Sequence, residues 1–142
     1  MLIGEHTHGV DNKNRIIVPS RFREDLGDSF VISKGLDGCL YIYPKDEWKV
    51  FETKLKNLPL TNKNSRTFAR FFFSGANEVV PDKMGRILIP QPLMEYAEIE
   101  DEVVSIGMDS RVEVWSSKKW KEYCEREIDM DEVASGMEDL GI

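Results

Sequence analysis

Apolar and polar positions divide the chain into short apolar runs separated by turn residues. Each run is rich in valine, isoleucine, leucine or aromatic residues, and glycine, proline or aspartate lies close to its ends. Runs of this composition between turn residues indicate buried β-strands. The predicted strands are residues 16–18, 30–32, 40–43, 87–89, 103–106 and 112–115.

Apolar residues at helical spacing fill most of the remaining chain. Short helices are predicted over 20–26 and 91–99, each directly after a strand that ends in proline. A longer helix follows the strand at 40–43, with Asp46 as its predicted N-cap. The next helix begins near Asn62 and ends before Gly75.

The same spacing recurs after the last strand. Ser116 or Ser117 is predicted to cap a helix there, because serine oxygens accept the first unpaired N–H groups of a helix. Beyond this helix the tail has an apolar stripe, which packs either on its own subunit or on another. The stripe is Met130, Val133, Met137 and Leu140.

The chain contains an internal duplication. Residues 11–19 match residues 82–90 in their aspartate, arginine and proline, 71 positions apart, and residues 35–43 match 107–115 at 72 positions. Each copy has a turn, a strand, a short helix and a hairpin. A unit of this size hardly buries its apolar face alone, so the two copies are expected to share a core about a pseudo-twofold axis.

The duplication divides the chain into four predicted parts. The first module covers residues 5–47 and the second covers 76–119. A helical linker, 48–75, joins them, and a helical tail, 120–142, follows. The expected fold class is mainly β with capping helices.

Charge is distributed unevenly along the chain. The net charge is −7, yet residues 1–90 hold 14 Lys and Arg against 11 Asp and Glu, whereas residues 91–142 hold 5 against 15. Between Thr53 and Gly75 there are five basic residues and no acid. This asymmetry permits a basic binding face on an acidic protein.

Several classes of protein are disfavoured by the sequence. No apolar run approaches the roughly 20 residues of a membrane span, and the N-terminus lacks a signal-peptide pattern, so Cys39 and Cys124 are expected as thiols in the cytoplasm. His6 and His8 would share one face of a strand, but no third metal ligand follows at suitable spacing, and solvated histidines are expected. We expect no cofactor, no metal and no enzymatic activity.

The paired turns resemble the signature of a known family. Asp-x-Lys-Asn-Arg at 11–15 and Asp-x-Met-Gly-Arg at 82–86 are similar to the Asp-x-Lys-Gly-Arg turns of MraZ proteins, as is the segment 35–44. The segment 66–76 is similar to the linker of that family. Two departures occur, Asn14 in place of glycine and Met84 in place of lysine.

This resemblance implies both a fold and a function. It implies the AbrB-like double-split β-barrel, with two intertwined modules, and a ring-shaped homo-oligomer in the nucleoid. It also implies a transcription regulator that binds G-rich direct repeats in double-stranded DNA upstream of the division and cell-wall gene cluster, its own gene included.

The residues of the turns divide into two predicted roles. Asp11 and Asp82 form the turns by accepting backbone N–H groups, and Gly85 adopts a left-handed backbone, as asparagine also can. The residues predicted to contact DNA are Lys13, Asn14, Arg15, Lys83 and Arg86. Lysine suits phosphate oxygens, and arginine can pair bidentately with guanine. The alternative is that each arginine only staples its own turn through an ion pair with the aspartate.

Other basic residues have weaker predictions. Arg21 and Arg23 either contact phosphate or belong to a solvated helix face. Arg66 and Arg70 either contact DNA or pair with acids of a neighbouring subunit, and the subunit contact is favoured. A second functional hypothesis is an oligomeric interaction or antitoxin-like module that does not bind DNA.

Overall fold

The computed structural model describes all 142 residues and contains two antiparallel sheets and six helices. The strands are β1 Ile3–Gly9, β2 Arg15–Ile17, β3 Phe30–Lys34, β4 Leu40–Pro44, β5 Asn77–Val79, β6 Arg86–Leu88, β7 Glu102–Met108 and β8 Val112–Ser116. The helices are α1 Ser20–Leu26, α2 Lys45–Lys56, α3 Lys63–Gly75, α4 Gln91–Tyr96, α5 Ser117–Cys124 and α6 Met130–Ser135. The expected β-rich class with several helices is confirmed.

The sheet topology reflects the duplication. One sheet has the order β1-β7-β8-β4-β3-β5, and the other is the pair β2-β6. The counterparts in the two copies are β1 and β5, β3 and β7, and β4 and β8. Replacing each strand of the six-stranded sheet by its counterpart gives the same order read from the other edge, as a pseudo-twofold axis requires. The first strand of each copy therefore pairs with the other copy, β1 with β7 and β5 with β3.

The six-stranded sheet has two edges, β1 and β5, so it does not close on itself. These two strands lay outside the predicted strands, because their partners lie in the distant copy. The finer description as a double-split barrel and the four part boundaries stay predictions.

The two copies share one core, as the duplication predicted. Its fully buried members include Phe22 and Phe30 from the first copy and Leu93 and Val103 from the second. Burial of a side chain of this size contributes roughly 1.5–3 kcal/mol, and the short strands of one copy offer too few of them alone. A second, aromatic cluster lies where α2 and α3 cover β4, around Tyr43.

The predicted cap of α5 and the predicted start of α3 near Asn62 agree with the structure. The side chain of Asn62 accepts the N–H groups of Asn64 and Ser65, and Ser116 accepts that of Lys119. The prediction for Asp46 was wrong, because α2 begins one residue earlier, at Lys45, directly after Pro44. Proline fixes φ near the helical value and so suits the residue before a helix.

The C-terminal tail projects from the rest of the chain. Every residue from 121 to 142 is exposed, and none of α6 is buried. The stripe residues Met130, Val133, Met137 and Leu140 remain 39–68% exposed. None of the stripe residues is therefore buried against its own subunit in this structure. None of the helices combines the length and the apolar character needed to cross a membrane.

Candidate nucleic-acid interface

The first turn is closed by a single carboxylate. Oδ1 of Asp11 accepts the backbone N–H groups of Lys13 and Arg15, each at 2.9 Å. Oδ2 of the same residue accepts Nε of Arg15 at 2.7 Å. The turn is therefore held by three hydrogen bonds to one aspartate.

The second turn repeats this geometry. Oδ1 of Asp82 accepts the N–H groups of Met84 and Arg86 at 2.9 Å, and Oδ2 accepts Nε of Arg86 at 2.8 Å. The fourth residue of each turn has a left-handed backbone, with φ of 59° at Asn14 and 77° at Gly85. Both turns thus share one geometry, and each has asparagine or glycine at its left-handed position.

The hydrogen bonds keep both aspartates ionised. Partial burial acts to raise the pKa of Asp11, but hydrogen bonds from the backbone of Arg15 and Lys13 and from the Arg15 guanidinium outweigh it and lower that pKa. The backbone N–H of Arg86 is the largest cause that lowers the pKa of Asp82. Each turn thus holds a carboxylate beside its arginine at neutral pH.

The side chain of each arginine is bound within the chain through Nε alone. Nε of Arg15 and Nε of Arg86 donate to the aspartates, while their terminal Nη atoms have no acceptor within the chain. The predicted ion pair between each arginine and the aspartate of its own turn is present, and this pair is the staple of the turn. Both arginine side chains are half-buried rather than exposed. Staple and ligand contact are compatible, because the staple orients the guanidinium and leaves its terminal N–H groups available.

Strands β2 and β6 form a two-stranded ribbon that carries both arginines. Arg15 pairs with Leu88 and Arg86 pairs with Ile17, so these four residues share one face of the ribbon, while Ile16 and its partner on β6 are buried on the other. Strand geometry places the Cα atoms of the arginines about 8 Å apart.

The outward face of the ribbon is partly apolar. Ile17 is 38% exposed and Leu88 is 58% exposed. The prediction that the runs at 16–18 and 87–89 are wholly buried was therefore wrong for their middle residues. Alternation of apolar and polar residues is the signal for such exposed positions, but here the exposed middle residues are themselves apolar, so the sequence does not show it.

The surroundings of the two turns differ in charge. The cleft beside the first turn is lined by Asn14, whose amide donates to Gln91 at 2.9 Å, and by three glutamates. These are Glu95, Glu98 and Glu100. The cleft beside the second turn is lined by Lys83 and by Arg23 of α1, together with Asp28 and Asp82. Lys13 is exposed at the first turn, where the second has Met84.

Comparison with known proteins gives the family of this chain. The family model described as "MraZ protein, putative antitoxin-like" matches residues 1–71 and again residues 72–139. The chain belongs to the MraZ family. The double match coincides with the duplication, and it confirms the resemblance found in the turns.

Relatives of the MraZ family match over whole chains. Proteins named "Transcriptional regulator MraZ" from Clostridium beijerinckii and Clostridium acetobutylicum are 64% and 62% identical to this chain over 142 residues, with all of both chains covered. A protein of the same name from Caldicellulosiruptor bescii is 56% identical, again over the full length of both chains.

The linker arginines lie apart from the ribbon in this MraZ chain. Both are on α3, which packs against β3 of the six-stranded sheet. Nη1 of Arg66 donates to the carbonyl of Leu60 at 2.9 Å, and Arg70 is exposed. Arg21 lies beside Gly4 of β1 rather than beside a turn.

The histidines of β1 differ from the expectation. His6 and His8 are half-buried rather than solvated, and His6 packs edge-on against Phe22 with ring centroids 5.2 Å apart. Burial is the largest cause that lowers the pKa of His8, followed by the nearby charges of His6 and Arg23. Neutral His8 is therefore favoured in the folded chain.

Proposed function

We propose that this chain is a sequence-specific DNA-binding transcription regulator whose β2–β6 ribbon enters the major groove. The observation that carries the proposal is the ribbon itself. The major groove of B-DNA admits a two-stranded ribbon, and this one presents Arg15 and Arg86 on a single outward face. The names of the full-length relatives support the same function.

The roles of the side chains follow from their geometry. The Nη groups of Arg15 and Arg86 suit bidentate donation to O6 and N7 of guanine, worth roughly 1–3 kcal/mol of discrimination for each good pair. Lys13 and Lys83 supply point charges for phosphate oxygens. Asn14 holds its turn through Gln91 and offers its remaining polar groups to the DNA backbone.

Two guanine contacts cannot distinguish an operator from the rest of a genome. We therefore propose a ring-shaped homo-oligomer in the cytoplasm and nucleoid, in which several ribbons meet several G-rich direct repeats on one DNA. Linking weak sites in this way raises the effective concentration of each. The expected repeats lie upstream of the division and cell-wall gene cluster, including the gene of this protein.

A ring requires contacts between unlike surfaces of neighbouring chains. Arg66 and Arg70 are proposed to pair with acidic residues in the C-terminal half of the next chain. The apolar stripe of the tail is available for the same junction, because none of its residues is buried. The two sheets with their shared core are proposed to be the double-split barrel of this family.

The proposal is tested by a fluorescence-anisotropy titration of the full chain. The probe is a labelled duplex from immediately upstream of its own gene, and a duplex of scrambled sequence is the control. We expect tighter binding to the first duplex and a steep loss of affinity with salt, about −0.9 in log–log slope for each neutralised phosphate. No preference and a slope near zero would instead favour an interaction or antitoxin-like module.

A further inference from the structure

Arg23 of the first copy lies directly against the second turn. Its Nε donates to the carbonyl of Val18 at 2.9 Å, and the N–H of Val18 donates to the carbonyl of Gly85 at 2.9 Å. A Cβ atom at position 85 would overlap with the guanidinium carbon of Arg23. Gly85 suits the left-handed backbone of this turn, and its lack of a side chain leaves the space that Arg23 occupies.

The guanidinium of Arg23 has unused binding capacity. Its Nη atoms have no acceptor within the chain. It lines an open cleft of about 290 Å³ with Lys83, and the acids there are Asp28 and Asp82. Asp82 is already committed to Arg86 and to the turn backbone, so only Asp28 faces the cleft without such a partner.

The internal duplication shows that the second turn lacks a cation at the position of Lys13. The position equivalent to Lys13 is Met84, which is 63% exposed and uncharged. The position equivalent to Arg23 is Met94, in α4 beside the first turn. At the first turn the cation is Lys13, which belongs to the turn itself. At the second turn it is Arg23 of helix α1, which lies against that turn.

We propose that Arg23 is a phosphate-binding residue of the second turn and replaces there the lysine that Lys13 provides in the first. This inference rests on the proposed DNA-binding function. The ligand is a backbone phosphate of double-stranded DNA, next to the base contacted by Arg86. Guanidinium groups suit phosphate oxygens because they present paired donors in a fixed plane.

The helix of each copy thus serves the turn of the other. In the first turn, Asn14 fills the space that Gly85 leaves open in the second, and its amide binds Gln91 of α4. In the second turn, the open space admits Arg23 of α1. We therefore expect that exchanging glycine and asparagine between the two turns changes the affinity for DNA.

The test compares Arg23→Ala with Arg21→Ala in the full chain. The two variants lose the same charge from the same helix, but Arg21 lies beside Gly4 and not beside a turn. On the duplex from upstream of its own gene, we expect Arg23→Ala to bind about tenfold more weakly. Its log–log salt slope should be shallower by about 0.9 for each turn engaged. Arg21→Ala should match the wild type in both.

Two further variants separate the phosphate role from a folding role. Gly85→Asn should reproduce the loss, because the asparagine side chain displaces Arg23 while the backbone stays accessible to it, as at Asn14. Met84→Lys should restore most of the affinity in the Arg23→Ala background. In the wild-type background it should add much less, because that phosphate is already bound.

The outcomes distinguish this inference from the function on which it rests. If the wild type binds and Arg15→Ala does not, but Arg23→Ala binds with the wild-type affinity and slope, the inference fails alone. If Arg23→Ala loses affinity and Met84→Lys fails to restore it while melting temperatures match, Arg23 acts only through the fold and the inference fails. If the wild type has no preference for the upstream duplex, the proposed function fails as well.

Discussion

Arg15 and Arg86 lie on the same outward face of the β2–β6 ribbon, each directly opposite an apolar residue of the other strand. Arg15 faces Leu88 and Arg86 faces Ile17. Each arginine is oriented by the aspartate of its own turn, which binds Nε and leaves the terminal nitrogens available. The pair therefore forms one preorganised surface, although the two residues are 71 positions apart in sequence.

Within this chain the ribbon is built by the duplication. Each copy contributes one strand of three residues, and the ladder is extended by the N–H of Val18 on Gly85 and the N–H of Ile89 on Asn14. A single copy would leave such a strand without a partner. The duplication thus builds the binding surface and the shared core together.

The apolar residues of the ribbon should affect base discrimination. Ile17→Ser and Leu88→Ser remove apolar contacts that suit thymine methyl groups in the major groove. Because each buried methylene is worth about 0.8 kcal/mol, we expect a loss of about fourfold or more in affinity for the upstream duplex. The salt slope should not change, since no phosphate contact is lost. A shallower slope with unchanged discrimination would contradict this role.

Charge reversal in the linker should break the assembly. Arg66→Glu with Arg70→Glu is expected to dissociate the oligomer, because the two introduced carboxylates would then face acids of the next chain. Light scattering should report smaller particles, and binding to DNA with several repeats should fall much more than binding to one repeat. Lys118→Glu with Lys121→Glu, which changes the charge equally on exposed positions of α5, is the control. A full oligomer in the linker variant would refute the interface.

Stability should fall as the pH drops through the ordinary range of histidine. The folded chain favours neutral His8, so its pKa lies below 6.5 and the unfolded chain binds the proton more readily. That stability is present above pH 6.5 and is lost below it. The turn aspartates stabilise the fold throughout this range, because their pKa values lie below 3.8, and their contribution is lost only as the pH falls below that value.

Melting temperatures at about pH 7.5 and about pH 5.5, on either side of that range, test this pH dependence. His8→Gln should reduce the fall seen in the wild type, because glutamine does not bind a proton. An identical fall in both proteins would exclude His8 as the cause.

The sequence was most informative where structure is local. The helix at 20–26 and the start of a helix near Asn62 were predicted because their signals lie within a few residues. The strands β1 and β5 were missed because each is defined by pairing with the other copy. The contact of Arg23 with Gly85 could not be predicted for the same reason, since its partners are 62 positions apart.

The site was predicted in the same uneven way. The turn aspartates and arginines follow from the repeated motif, and the left-handed residues follow from their types. The exposure of Ile17 and Leu88 depends on the tertiary environment of the ribbon, which the isolated apolar run does not reveal. The predicted staple and the predicted DNA contact were posed as alternatives, but the geometry allows both.

The most direct test of the DNA-binding account is the affinity of Arg15→Ala for the duplex upstream of its own gene. Removing the guanidinium should weaken binding by at least about fivefold, as expected for loss of one bidentate guanine contact worth roughly 1–3 kcal/mol. Arg15→Lys keeps the charge but not the fork, so it should retain the salt slope and lose discrimination. Melting should change little in either, because the turn keeps its backbone bonds to Asp11. Wild-type affinity for this duplex in a folded Arg15→Ala variant would contradict the account.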